Sequence, residues 1–440
     1  MITHLVLFGA TGDLAGRFLL PALARLLAAG DVSPDLQVVA AAPQEWDDTT
    51  FRDRVAFRLR EHAGGLSEDD SRAFLDRLHY QRVDFADVGS VRKAVHGFAD
   101  TAPVAVYLAL PQGLFQTATR ALGASGLPPG SRIAVEKPFG EDLAGAVSLN
   151  ALLAQVMPDA PEAVFRVDHA LGMPGAQQVL ALRGAEAMPA SIWDSAHIEQ
   201  IDILWEETLG LEGRANFFDR TGALRDVLQN HMIQVLTVVA MELPAAATNK
   251  DHRDAKIELL RSARALPESR RARFTAGTLA VSGTDVVGYV QEDGVDPSRQ
   301  TETYAEVAVH VDRPRWSGTR FLLRAGKALA TDRKGVLIHF RPESGREPLW
   351  IPMDGPPGSM DGELVAYGAV LLDVLSGSSR LSVSAEESEQ AWRVVEPVLH
   401  AWAQGVVPLL EYPAGSSGPA HPLPDRSRDS SPGSGTAAAP

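Results

Sequence analysis

Short apolar runs alternate with amphipathic helical stretches from residue 4 to residue 167, and no other pattern in the chain restricts its topology so strongly. His4-Leu5-Val6-Leu7-Phe8 reads as a buried strand that stops at Gly9. Leu14, Leu19, Leu20, Leu23, Leu26 and Leu27 follow at helical spacing and end at Gly30. Further strands are expected at 36–42, 81–84, 104–110, 132–136 and 163–167, with helices near 50–62, 67–79, 89–99, 115–124 and 142–156. Strands separated by helices are joined in parallel through crossovers, so residues 1–175 are expected to form a doubly wound, Rossmann-like dinucleotide-binding α/β domain.

After about residue 180 the rhythm breaks. Strands near 197–205, 303–311, 320–323 and 336–340 and helices over 222–241, 362–375 and 386–404 predict an α+β domain over 176–412, built on a large mixed or antiparallel sheet. From Pro413 the chain turns to Gly, Ser, Pro and Ala, too poor in large apolar groups to offset chain entropy, and 413–440 is expected as a disordered tail.

Composition narrows the chemistry. The 440 residues include no cysteine, which excludes disulfides, thiolate metal sites and a cysteine nucleophile. A net charge of −15 without a basic block argues against nucleic-acid binding. The N-terminus lacks the layout of a signal peptide, and the chain has no run of about 18 apolar residues, so a cytoplasmic protein without a membrane segment or a bound metal is expected.

Four words could carry chemistry. Gly9-Ala10-Thr11-Gly12-Asp13-Leu14-Ala15 joins the first strand to the first helix; its glycines let the backbone approach a pyrophosphate, which free N–H groups and the helix dipole would hold. G-x-x-G-x-x-A is a weaker signature than G-x-G-x-x-G, and a plain βα turn also explains it; its place on the first strand favours the nucleotide. After the second strand, Ala41-Ala42-Pro43-Gln44-Glu45 cleanly offers neither an acid for a ribose 2′-hydroxyl nor an arginine for a 2′-phosphate. Val135-Glu136-Lys137-Pro138-Phe139-Gly140 puts Lys137 at the carboxyl end of a strand, where such sheets bind ligands, although a solvated lysine is an equal reading. Asp168 and His169, adjacent at the domain junction, face opposite ways on an extended chain, so an imidazole paired with Asp168 must come from elsewhere. His231, in Leu224-Arg225-Asp226-Val227-Leu228-Gln229-Asn230-His231, is a candidate, against the commoner reading of a buried core histidine.

Together these words resemble the glucose-6-phosphate dehydrogenase family. The glycine loop, Glu136-Lys137-Pro138-Phe139-Gly140, Arg166-Val167-Asp168-His169, the word from Gly222 to His231, Thr301-Glu302-Thr303-Tyr304, Arg324-Ala325-Gly326-Lys327 and Tyr412-Pro413-Ala414-Gly415 stand in the family's order across about 4–419. The resemblance implies an NAD(P)-dependent dehydrogenase that oxidises the C1 hydroxyl of a cyclic hexose to the lactone. It implies His231 as general base and Asp168 as the carboxylate that orients it. Lys137, His169, Glu207, Asp226 and Lys327 match substrate-binding positions, His169 the one that holds the sugar phosphate. Gly9, Thr11, Gly12, Asp13, Leu14, Gln44 and Lys137 would hold NADP or NAD, and the family's habit implies a homo-oligomer, dimer or tetramer.

The departures cluster. Ala170 and Met173 stand where the family has tyrosine and lysine, Phe18 where the first helix supplies a lysine, and Pro43 where an arginine meets the 2′-phosphate. A second basic residue is expected five positions after Lys327; a strict count lands on Asp332, and one inserted residue would bring in Arg333 instead. These changes imply a divergent member acting on glucose 6-phosphate or a related sugar, non-phosphorylated ones included. The competing reading is a catalytically silent relative that binds or regulates.

Overall fold

The computed structural model describes residues 1–97, 101–184, 192–244, 248–356 and 361–420. Strands β1 (His4–Phe8), β2 (Gln37–Ala42), β3 (Leu78–Arg82), β4 (Ala105–Leu108), β5 (Arg132–Glu136) and β6 (Val164–Val167) form a parallel sheet. Its order, β6-β5-β4-β1-β2-β3, reverses direction between β1 and β4, the crevice where doubly wound sheets take ligands. The largest shift from expectation is here: the helix expected to 79 is Glu68–Leu75, and the strand expected at 81–84 runs over Leu78–Arg82. Leu78 drops into the core beside Val38, and that pairing overrides the local helical pattern.

The second half contains β7 (Ile198–Glu206), β8 (Ala263–Thr275), a small hairpin of β9 (Gly277–Thr278) and β10 (Asp285–Val286), then β11 (Tyr304–Val311), β12 (Arg320–Gly326), β13 (Arg333–Phe340), β14 (Leu349–Pro352), β15 (Ser382–Val383) and β16 (Leu409–Pro413). Seven of these make a mixed sheet of order β14-β13-β7-β12-β11-β8-β16, parallel at β7/β12 and β8/β16 and antiparallel elsewhere. β15 leaves that half and adds an antiparallel edge to the first sheet beside β6. The helices Gly362–Ser376 and Ala385–Ala403 pack on the first half as well: Arg132 donates to the carbonyls of Val374 and Leu375 at 2.7 Å, and Trp392 to that of Phe139 at 3.0 Å. One continuous apolar core joins the two sheets.

The start of the expected tail is structured. Pro413 ends β16, the turn after it is held where Gly415 donates its N–H to Ala328, and Ser416 bridges Leu329. Small residues suit this place, because a Cβ on Gly415 would meet the Thr278 carbonyl at 2.0 Å. The remainder of the tail, 421–440, lies outside the described residues.

The segment expected as one helix over 222–241 is a π-helix over Leu224–Met232 followed by an α-helix over Ile233–Ala240. Gly222 breaks the preceding helix at φ +67°, and a Cβ there would stand 2.4 Å from Glu302 Oε1. Glu302 fills that gap, accepting the Leu224 N–H at 3.0 Å through its carboxylate and the Ala223 N–H at 3.1 Å through its carbonyl. Asn230 satisfies groups that the wider turn leaves over, accepting from the His231 N–H and donating to the Arg225 carbonyl. With bonds from i to i+5, Asp226 and His231 share a face.

Burial raises the Glu302 carboxyl to about 7, above its ordinary 4.5. The folded chain therefore binds this proton more tightly than the unfolded one, so the group favours folding at low pH and loses that contribution as pH rises through about 7. Glu302→Gln, which keeps the neutral form, is expected to gain in melting temperature relative to the wild type between about pH 5 and about pH 8; a difference that stays flat with pH would contradict the assignment.

Candidate active site

The glycine loop rests on three strand ends. Gly9 donates to Ala41 at 2.9 Å, and Ala109 donates to Phe8 at 3.0 Å. Gly9 has φ +81°, and a Cβ on it would stand 2.1 Å from the Ala109 carbonyl, so only glycine lets β1 and β4 close here. The chain turns helical at Asp13, which pairs with Arg17 in the first turn beside Leu14. Thr11 and Gln44 meet across the loop at 3.0 Å, and the Tyr80 hydroxyl donates to the Gln44 carbonyl at 2.8 Å. Gly9, Thr11, Gly12, Asp13, Leu14 and Gln44 thus form one rim at the switch point of the sheet. A shape that excludes a Cβ and a helix opening beside it fit a dinucleotide's pyrophosphate.

Lys137, just past β5, reaches the π-helix. Its ammonium lies 2.8 Å from the Asp226 carbonyl and 3.1 Å from Asp226 Oδ1. Burial works against the charge on both partners, and each outweighs it for the other: Lys137 stands above its ordinary pKa and Asp226 below. They line a cleft with Gln112, Asn216, Arg220 and Asn230.

Asp168 follows β6. Its Oδ1 accepts the Ala170 N–H at 3.1 Å, which starts the turn His169–Gly172, and lies 2.5 Å from His231 Nδ1. Both side chains are buried, at 0% and 4% exposure. Burial alone would raise the Asp168 carboxyl; the imidazole of His231 and its hydrogen bond, with His169 and Lys137, outweigh this and hold it below its ordinary value. Asp168 Oδ2 and His169 Nδ1 have no hydrogen-bond partner among the described residues.

His231 is held between two rings, stacked on Trp205 at 5.2 Å and tilted against His169 at 4.6 Å. His169 also packs on Tyr367 at 4.7 Å. Burial, then the proximity of His231, push the His169 imidazole well below its ordinary value, so it is neutral near pH 7. Lys327 reaches Glu207 at 2.5 Å. Of the expected substrate residues, His169 and Lys137 act on the Asp168 carboxyl, and Asp226 lies within the reach of both His231 and Lys327, the partner of Glu207.

Neither residue considered for the second basic position enters this cluster. Asp332 accepts from the N–H and hydroxyl of Thr208, both at 2.8 Å, and Arg333 donates to Glu206 Oε2. Strand alternation is the reason: on β13 the buried side carries Val336 and Ile338, which puts Lys334 inward and Arg333 outward. Lys334 was the missed cation, although its even spacing with those apolar residues was readable. Trp205, in step with Ile201 and Ile203, and Tyr367, in step with Leu364 and Leu371, were missed for the same reason.

Residues 6–177 match the family model "Glucose-6-phosphate dehydrogenase, NAD binding domain", and residues 180–348 and 359–425 match "Glucose-6-phosphate dehydrogenase, C-terminal domain". The chain belongs to the glucose-6-phosphate dehydrogenase family. Among curated proteins it is 32% identical to a glucose-6-phosphate 1-dehydrogenase of Treponema pallidum, covering 94% of this chain and 92% of that one. It is 35% identical to the one of Gluconobacter oxydans, with 94% of each covered. Among solved structures, glucose-6-phosphate 1-dehydrogenase from Mycobacterium avium superposes with a TM-score of 0.82 at 29% identity, covering 95% of both chains. As a member of the glucose-6-phosphate dehydrogenase family this protein is an NAD(P)-dependent oxidoreductase, and the silent reading is not favoured.

Removing Lys137 would leave the Asp226 carboxylate without its cation in a largely dry site. Lys137→Met is expected to cost about 3 kcal/mol of stability by urea denaturation, and adding Asp226→Leu to recover part of it; additive losses would show that the two groups do not act as a pair.

Proposed function

We propose that this protein oxidises the C1 hydroxyl of a cyclic hexose, glucose 6-phosphate or a close relative of it, to the lactone, with His231 as general base and Asp168 as the group that orients it. The observation that carries this reading is the buried contact between His231 Nδ1 and Asp168 Oδ1 at 2.5 Å, in a site that also holds Lys137. An ionised Asp168 accepts a hydrogen bond, so Nδ1 carries the proton and Nε2 keeps a lone pair. That lone pair takes the hydroxyl proton as C1 gives up its hydride. Gly9, Thr11, Gly12, Asp13, Leu14 and Gln44, with Lys137, would hold a nicotinamide dinucleotide, which would supply the hydride acceptor when bound. The charge that develops on the imidazole faces Asp168, whose depressed pKa keeps it ionised for that purpose.

Lys137, Lys327, Glu207, Asp226 and His169 are read as the groups that hold the sugar, the ammoniums donating to its oxygens and the carboxylates accepting from its hydroxyls. Trp205 and His169 clamp the base from two sides and limit the angles it can take. The same reading makes this a cytoplasmic homo-oligomer.

Coenzyme reduction over a panel of free and phosphorylated aldohexoses tests the reaction. Asp168→Asn is expected to lower kcat by about 10²–10⁴-fold with the melting-temperature rise on adding NAD(P) unchanged. A variant with near wild-type kcat would remove Asp168 from the mechanism.

A further inference from the structure

The carboxyl end of β2 carries charge that the hexose chemistry leaves unused. Gly9 and Ala10 both donate their N–H groups to the Ala41 carbonyl, at 2.9 and 3.3 Å, and Thr11 reaches Gln44 at 3.0 Å, so the glycine loop and the chain leaving β2 form one rim. A dinucleotide whose pyrophosphate sits on such a loop lays its adenosine ribose at the end of the second strand, where an acid takes the 2′-hydroxyl of NAD or an arginine the 2′-phosphate of NADP. Pro43, the first residue past that strand, brings neither. Glu45 and Arg82 bring both: their side chains meet at 2.6 Å, one on the loop after β2 and the other at the end of β3.

Register fixes this meeting. Arg82 lies opposite Ala42, the last residue of β2, and shares a face with Tyr80, whose hydroxyl donates to the Gln44 carbonyl at 2.8 Å. Neighbouring charges are committed elsewhere. Asp47 caps the helix Asp48–His62 through the Thr50 N–H, and Asp48 accepts the Tyr80 N–H and pairs with Arg52, which donates to the Leu78 carbonyl. Arg54 stacks on Trp46. Among the described residues Glu45 and Arg82 pair with no other charged group, and their side chains are 77% and 61% exposed. An ion pair so exposed holds its members weakly, and either can turn to a ligand at little cost. The carboxylate accepts hydrogen bonds from a free ribose, and the guanidinium takes a phosphate through two parallel charge-assisted bonds.

We propose that Glu45 and Arg82 are the specificity-determining residues for the coenzyme, Glu45 accepting the ribose 2′-hydroxyl of NAD and Arg82 binding the 2′-phosphate of NADP, so that one rim admits both. This rests on the reading that the glycine loop holds the dinucleotide and is independent of which sugar is oxidised. Each coenzyme engages one member of the pair and releases the other to solvent, so discrimination between the two is small and is set by the balance of these side chains.

Calorimetric titration of the full chain with NAD, NADP and 2′,5′-ADP, which carries the 2′-phosphate without a nicotinamide, tests it in the absence of sugar. Dissociation constants for NAD and NADP within about thirtyfold of each other are expected, and a larger difference in either direction overturns the shared use. Arg82→Met is expected to weaken NADP and 2′,5′-ADP by about tenfold while NAD changes by less than about twofold, and Arg82→Lys to recover part of the loss. Glu45→Gln is expected to weaken NAD and tighten NADP, moving their ratio by about tenfold toward NADP. A folding defect weakens both coenzymes alike, so a ratio unmoved in every variant overturns the assignment of the pair and leaves the glycine loop as the dinucleotide site. Wild-type protein that binds neither coenzyme overturns the glycine-loop reading and this proposal with it.

Discussion

The contact between Asp168 and His231 ties together everything else in this molecule. Asp168 leaves the end of a strand in the parallel sheet, and His231 sits on a π-helix that packs against the mixed sheet. Each half alone offers an incomplete group: a buried carboxylate without its hydrogen-bond donor, or an imidazole without an orienting acid. Burying an unpaired carboxylate is strongly unfavourable, so the docking of the halves and the formation of the pair support each other. Glu302 and Gly222 belong to the same device, because they set where the π-helix begins and therefore where its histidine ends up.

Charge in this site is arranged in pairs that run from one structural layer to the next. Lys137 joins a strand end of the first sheet to the π-helix, Lys327 and Glu207 join two neighbouring strands of the second, and Lys334 links that sheet to the helix Gly362–Ser376. Such pairs add little net stability, since desolvation offsets most of the attraction. Their value lies in direction: each holds a polar head at a fixed point while its partner holds the other, which is what recognition of a polyol requires.

Much of this was legible beforehand. The βα rhythm led to the parallel sheet, since short continuous apolar runs between helices leave few topologies. The convergence of Asp168 and His231 was implied by the family resemblance; the residues alone said only that an imidazole paired with Asp168 had to come from elsewhere and left His231 a candidate. What stayed hidden was of two kinds. The π-turn depends on a contact between Gly222 and Glu302, 80 residues apart in the chain, which local periodicity cannot report. Lys334, Trp205 and Tyr367 look like ordinary members of a strand or helix until the register is known, and register is set by pairing with distant strands. The ordered stretch at 413–420 was misjudged for a similar reason: its small residues are poor in apolar surface, yet they are what a narrow groove beside Thr278 and Ala328 admits.

The placement of β15 bears on how the chain is made. The parallel sheet is not finished by the residues that begin it; its last edge is Ser382 and Val383, and its outer layer includes helices that end at Ala403. During synthesis at about 5–20 residues per second, the amino-terminal portion emerges long before those pieces exist. Its β6 edge stays open to any passing backbone in that interval, a hazard for pairing with a second nascent copy. Closure of this edge waits for Ser382 and Val383, and shortening the chain before Ala403 would harm the nucleotide half as much as the sugar half.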